Sequence, residues 1–270
     1  MEFINLIIEE AFLRHAVLGG LLASLVCGLI GPFVVTKRIG YMGGGIAHSV
    51  LGGMGAAYFV GASPVTGALI AAIVSALVIG MISRKGQQSE DTAISAVWTT
   101  GMAIGLIFMA KTPGYNVDLT TYLFGNILMI PTQGLETIAA IAVIIFLVIV
   151  LRYKSFIAVT FDEEFARLRG VNVTLVNLTL LCMVGLAVVS LMQLVGIIMV
   201  IALLTLPAAA ASRISQKFPV VMILSFFIGS TSSLLGLYLA FVFDVPAGAT
   251  IILCTVAIFS AITISRQLSN

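Results

Sequence analysis

Roughly nine apolar stretches, each close to the length of a bilayer-crossing helix, follow one another with only short polar connections between them. They lie near residues 14–35, 44–60, 63–82, 92–110, 135–151, 173–191, 194–211, 220–242 and 248–265. A hydrocarbon core about 30 Å thick takes about 20 residues of α-helix, and within it every backbone N–H and C=O needs a partner. Unbroken apolar runs of this length exclude the alternating pattern of barrel strands. The expectation is an all-α, polytopic membrane protein with eight to nine transmembrane helices, residues 1–270 forming a single transmembrane domain. Composition agrees: 9% of residues are charged and 60% hydrophobic, against about 25% charged in an ordinary soluble domain.

Basic residues give the orientation. With nine spans, Lys37/Arg38, Arg84/Lys85, Arg152/Lys154, Arg167/Arg169, Arg213/Lys217 and Arg266 fall on one side, and only Arg14 and Lys111 on the other. The positive-inside rule places the first group in the cytoplasm, the N-terminus outside and the C-terminus inside. Acids such as Glu9, Glu10, Asp118, Glu136 and Asp244 then mark the outer connections. The stretch MEFINLIIEEAFLRH lacks the basic start of a removable signal peptide. The longest cytoplasmic connection, 152–172, is charged and has helical spacing, with Phe161, Phe165 and Leu168 on one side. The outer stretch 117–131 is too short to span and reads as a re-entrant or surface helix. Small residues four apart, Gly101 with Gly105, Gly52 with Ala56 and Gly236 with Ala240, read as close helix packing within the chain.

What is missing narrows the function. No G-x-x-x-x-G-K-[ST] occurs, so the chain has no P-loop of its own. No HExxH, serine elbow or membrane-embedded pair of carboxylates is present for catalysis, so the chain is not read as an enzyme. All 11 acids lie at or near ends or connections, whereas self-powered proton-coupled carriers keep ionisable groups within their helices. A net charge of +2 offers no footprint for nucleic acid. Cys27, Cys182 and Cys254 lie far apart and make no metal or disulfide spacing. His48, in the glycine-rich run RIGYMGGGIAHSVLGG, is the one ionisable side chain near the middle of an apolar stretch. It either lines a path or is hydrogen-bonded between helices.

Four segments together carry a family resemblance: GPFVVTKRIGYMGGGIAHSVLGG (31–53), VDLTTYLFGNIL (117–128), FDEEFARLRGV (161–171), and LVGIIMVIALLTLPAAAASRIS (194–215) continuing to DVPAG (244–248). The chain resembles the membrane permeases of the zinc/manganese/iron-uptake ABC transporters, which are similar to the iron-siderophore and cobalamin ABC importer permeases. The resemblance implies a homodimer in a prokaryotic cell (inner) membrane, with a translocation path between the copies. It further implies separate cytoplasmic ATPase subunits that bind the ATP, and an extracellular or periplasmic metal-binding protein that delivers the ion. The cargo is a divalent transition metal, zinc favoured over manganese or iron, with no permanently bound cofactor.

On this resemblance His48 is a transient metal ligand of the path, with Ser49 lining it. The family carries an Asp one helical turn before the histidine, where this chain has Gly44. Loss of that oxygen ligand moves the preference toward imidazole-binding zinc. Pro207, Ala208, Ala211 and Arg213 resemble the segment that couples to the ATPase, Pro207 breaking or bending the helix end; the alternative is a kinked span with a basic end. Glu163, Glu164 and Arg167 are either a second coupling contact or a solvated face. Asp118 and Asp244 are outer contacts for the cation or its carrier, or else an N-cap and a turn residue. A metal channel or secondary carrier, and an ABC permease for a metal chelate such as a siderophore or cobalamin, are the alternatives. A chelate needs a wide aromatic-lined vestibule, and the chain has one Trp and no aromatic cluster at the proposed path.

Overall fold

The computed structural model describes residues 9–84, 90–112 and 125–268. Among them run α1 (Ala11–Thr36), α2 (Gly40–Phe59), α3 (Pro64–Arg84), α4 (Glu90–Lys111), a 3-10 turn (Ile127–Met129), α5 (Thr132–Phe161), α6 (Glu163–Leu168), α7 (Val173–Val195), α8 (Ile197–Ile214), α9 (Phe218–Phe243) and α10 (Ala247–Leu268), with no strand. Seven helices are long and apolar enough to cross a bilayer, and α8 holds a shorter apolar helix, Val200–Ile214. The 20 residues of α2 reach a spanning length, but its glycines dilute its hydropathy. Helices therefore stand at each of the nine expected stretches, seven of them long and apolar enough to span.

α5 absorbs the expected boundary between a span and a cytoplasmic connection at residue 152. Its 30 residues bend at Arg152, whose φ of −115° and ψ of 16° are not helical. Of the outer stretch 117–131, the described part holds the short 3-10 turn, opened by Asn126, whose Oδ1 accepts from the Leu128 N–H at 3.2 Å. Asp118 lies outside the described residues.

The helices group into two compact units. One holds α1, the first half of α5, the end of α7, and α8, α9 and α10; the other holds α2, α3, α4, the rest of α5, α6 and most of α7. In the first unit α1 packs on α8 and α9, and α10 packs on both. Lipid tails are as apolar as leucine, so helix association depends on fit and small residues make it close. A methyl on Gly31 would lie 2.5 Å from the Leu204 carbonyl oxygen and 3.0 Å from Ala208 Cβ, so α1 and α8 nearly touch backbone to backbone. Ser24 donates to the Gly20 carbonyl at 2.7 Å and lies 3.5 Å from Ser233 Oγ across the α1–α9 contact. Gly196, with φ of 77°, separates α7 from α8 in a conformation an L side chain resists.

One local expectation is corrected here. Pro207 neither breaks nor ends its helix; it is buried inside α8, which continues to Ile214. Ala208, Ala210 and Ala211 are fully buried, with Ala208 against Gly31, and the helix runs on past the lost proline N–H.

In the second unit α2 lies against both α3 and α4. A methyl on Gly101 of α4 would fall 2.5 Å from Ser49 Cα, and one on Gly105 would fall 2.7 Å from the Leu51 carbonyl oxygen. From α2, a methyl on Gly52 would fall 2.7 Å from the Gly101 carbonyl oxygen, and Gly53 meets Gly67 of α3 as closely. The small-residue spacing of Gly101 and Gly105 is thus spent on packing within this chain.

Candidate functional site

The glycines of α2 place His48 against α4. Its imidazole stacks on the Trp98 indole with ring centroids 4.3 Å apart and planes 8° from parallel. Trp98 Nε1–H points at Met102 Sδ, 3.0 Å away and one turn along the same helix, which sets the rotation of the indole. His48 Nδ1 is buried and finds no hydrogen-bond partner among the described residues. A structural histidine between helices normally spends its ring nitrogens on such bonds. Here the ring is gripped by its face, and Nδ1 has no partner among the described residues.

Ser49 points elsewhere. It is 4% exposed; its Oγ lies 2.8 Å from the Ile46 carbonyl oxygen, to which it donates, and 2.8 Å from Ser75 Oγ of α3. These bonds satisfy the hydroxyl and fasten α2 to α3. Ser49 and Ser75 also edge a groove of about 840 Å³ between α2, α3 and α4, lined mainly by small and branched apolar residues and by no charged side chain. Such a lining carries no charge to attract an ion. Among the described residues no three of His, Cys, Asp and Glu cluster as a metal cage would require.

At the other end of the same unit, α6 is held by its charges. Asp162 caps it, accepting from the Phe165 N–H at 2.8 Å. Glu163 Oε1 receives Lys37 Nζ at 2.8 Å and Asn177 Nδ2 at 3.1 Å, while Lys37 also donates to the Val159 carbonyl at 3.3 Å. Burial opposes the Glu163 charge, but the hydrogen bonds from Lys37 and Asn177 and the Lys37 and Arg167 charges outweigh it and hold the carboxyl below the usual glutamate range. Lys37 lies at the turn into α2, next to Arg38, whose φ of 58° is left-handed. Glu164 and Arg167 are exposed, as are Phe161, Phe165 and Leu168, at 63%, 50% and 87%.

In the first unit, Pro207, Ala208 and Ala211 are buried and Arg213 emerges exposed at the end of α8. Asp244 is the exposed C-cap of α9, with φ of 53° and ψ of 50°.

Fold and site together describe a polytopic helical membrane protein in which one imidazole, well inside a helix, stacks on an indole. The family model of the ABC 3 transport family matches residues 9–266, and the chain belongs to that family. Manganese transport system membrane proteins from Halalkalibacterium halodurans and Listeria monocytogenes are 33% and 32% identical to it, each across 96% of this chain and 88% and 92% of their own lengths. An uncharacterized membrane protein of Synechocystis is 42% identical across 91% of this chain and 88% of its own. Among solved structures, a chain of PsaBC from Streptococcus pneumoniae, in complex with Fab, superposes with a TM-score of 0.87 at 30% identity, covering 97% of this chain and 94% of that one. A chain of an inward-facing ABC transporter shares the fold at a TM-score of 0.75 and 13% identity.

Proposed function

We infer that the chain is the permease subunit of an ABC importer that carries a divalent transition-metal ion into the cytoplasm. The observation that carries this reading is the family match across residues 9–266. The protein works as a homodimer of single permease domains in the prokaryotic cell (inner) membrane, its N-terminus outside and its C-terminus in the cytoplasm. Separate ATPase subunits supply the energy, in keeping with a sequence that has no P-loop. A metal-binding protein on the outer side delivers the cargo, near Asp244 and Asp118.

His48 is the transient ligand. One imidazole per chain makes a weak site, and weak binding suits a path from which the ion must leave as readily as it enters. Manganese leads as cargo because relatives of about one-third identity over nearly the whole chain are named for it. Zinc is the second reading, favoured by an α2 that offers imidazole without carboxylate.

Arg213 contacts the ATPase, carried on an α8 that Pro207, Ala208 and Ala211 anchor in the protein. Glu164 and Arg167 form the second contact, on an α6 that Glu163 ties to Lys37. In proteoliposomes holding the complete transporter, His48→Ala loses metal uptake while ATPase association stays intact; uptake at the wild-type rate refutes the site. Uptake that proceeds without ATP or the ATPase refutes the ABC reading in favour of a channel or carrier.

A further inference from the structure

We propose that Trp98 is a positioning residue for metal passage: its indole face fixes the plane of the His48 imidazole and favours that ring when it carries a cation. This rests on the reading of His48 as the path ligand and adds a residue and a physical role to it.

The geometry comes first. Metal ions approach imidazole in the ring plane, along a nitrogen lone pair. A partner on the ring's face restrains its tilt without occupying that approach, whereas a hydrogen-bonding partner would consume a nitrogen. The 8° stack at 4.3 Å is a face contact of this kind, and Nδ1 remains buried without a partner. The indole is itself fixed, because its N–H is engaged by Met102 Sδ at 3.0 Å. The glycine contacts of Gly101 on Ser49 and of Gly52 on Gly101 then hold the two backbones at the spacing the stack needs. Met102, Trp98 and His48 thus form a chain of support two residues deep behind an imidazole edge.

Electrostatics follow. Neither α2 nor α3 contains an Asp or Glu, and α4 carries its acids in its first two residues, about two turns before Trp98. A cation held on His48 therefore meets no carboxylate from the helices of this packing. The electron-rich face of an indole is the strongest aromatic partner for positive charge. Charge passed from the ion into the imidazole lies directly over it. Neutral imidazole gains less from the same contact, so the stack favours the loaded ring over the empty one.

The test uses the complete transporter in lipid discs and proteoliposomes, with Mn²⁺ as the probe. The chain has one Trp, so subtracting the emission of Trp98→Phe transporter from that of wild type isolates Trp98. The expected result is that Mn²⁺ quenches this difference emission saturably in wild type and not in His48→Ala. In uptake, Trp98→Leu raises the KM for Mn²⁺ about tenfold, the scale of a desolvated cation–π contact, with kcat within about twofold. Trp98→Phe, which keeps an aromatic face, recovers most of that loss. If His48→Ala takes up Mn²⁺ like wild type, the underlying site reading falls. If His48→Ala loses uptake while Trp98→Phe and Trp98→Leu both keep the wild-type KM, only the role of Trp98 falls. Should Trp98→Leu fail to assemble, the quenching comparison on wild type and His48→Ala decides: equal quenching in both overturns the proposal.

Discussion

Substituting Gly101→Ala in α4 probes the contact on which the site depends. The added methyl would sit 2.5 Å from Ser49 Cα, 2.7 Å from its carbonyl oxygen and 2.8 Å from its Cβ, where ordinary contact begins at 3.4 Å. Two of these three atoms are backbone, so no rotamer change relieves the clash, and α2 and α4 must separate by about 0.9 Å. Overpacking of this kind costs about 1–3 kcal/mol. For a chain of this size that lowers the apparent melting temperature by about 2–10 °C. The same separation pulls His48, the residue before Ser49, off Trp98, opening a ring stack now at 4.3 Å. Thermal denaturation of the purified transporter, followed by the loss of its assembled chromatographic peak, measures the first effect; the KM for metal uptake measures the second. Gly61→Ala is the control. Nothing lies within 4 Å of its added methyl, yet its φ of 76° disfavours a side chain, so it melts earlier while leaving the KM unchanged. A Gly101→Ala protein that melts and transports like wild type refutes the backbone-to-backbone packing of α2 on α4.

Other expectations are more local. Glu163→Gln keeps neutral hydrogen bonds to Lys37 and Asn177 but loses the charge; because Glu163 is 46% exposed, stability falls by less than about 1 kcal/mol, while stimulation of the ATPase by metal and binding protein drops. The folded pKa of Glu163 lies below its unfolded value, so the ion pair contributes fully above the ordinary glutamate range and is lost as pH falls through the lowered value. The melting difference between wild type and Glu163→Gln is therefore flat around neutrality and closes only in acid. Ser49→Ala strands Ser75 from its partner and costs about 1 kcal/mol, with uptake retained; loss of uptake in a well-assembled Ser49→Ala protein would make Ser49 a ligand. Arg213→Ala assembles but fails to stimulate the ATPase, and normal stimulation removes Arg213 from the coupling contact.

Hydropathy and glycine spacing made the helices legible, since both are set by the local chain. Residue 152 marks where the apolar run stops, and there α5 bends. Gly101 and Gly105 were readable as packing within the chain, and they pack on α2. What the sequence hides are pairings between distant positions. Lys37 and Glu163 meet across 126 residues, and either charge alone looks like a solvated loop residue. The stack of Trp98 on His48 is another such pairing, although a signal existed: Trp98 lies three residues before Gly101, close to the face of α4 that packs on Ser49. Pro207 was expected to break or bend the helix end, whereas α8 runs through it to Ile214 with Ala208 buried against Gly31.

The glycine-lined packing of α2 also limits how this protein can evolve. Every single-base change in a glycine codon that alters the residue enlarges it. Gly45, Gly52, Gly53 and Gly55 each face a neighbour on α3 or α4 that already lies within the reach of a methyl. Substitution at these four glycines is therefore removed by the cost of packing before it can alter cargo preference. Variation that survives has to enter where side chains already occupy the space. Met102 and Trp98, on the opposing helix, are such positions, and divergence in metal preference among descendants of this chain should surface there before it appears at these four glycines.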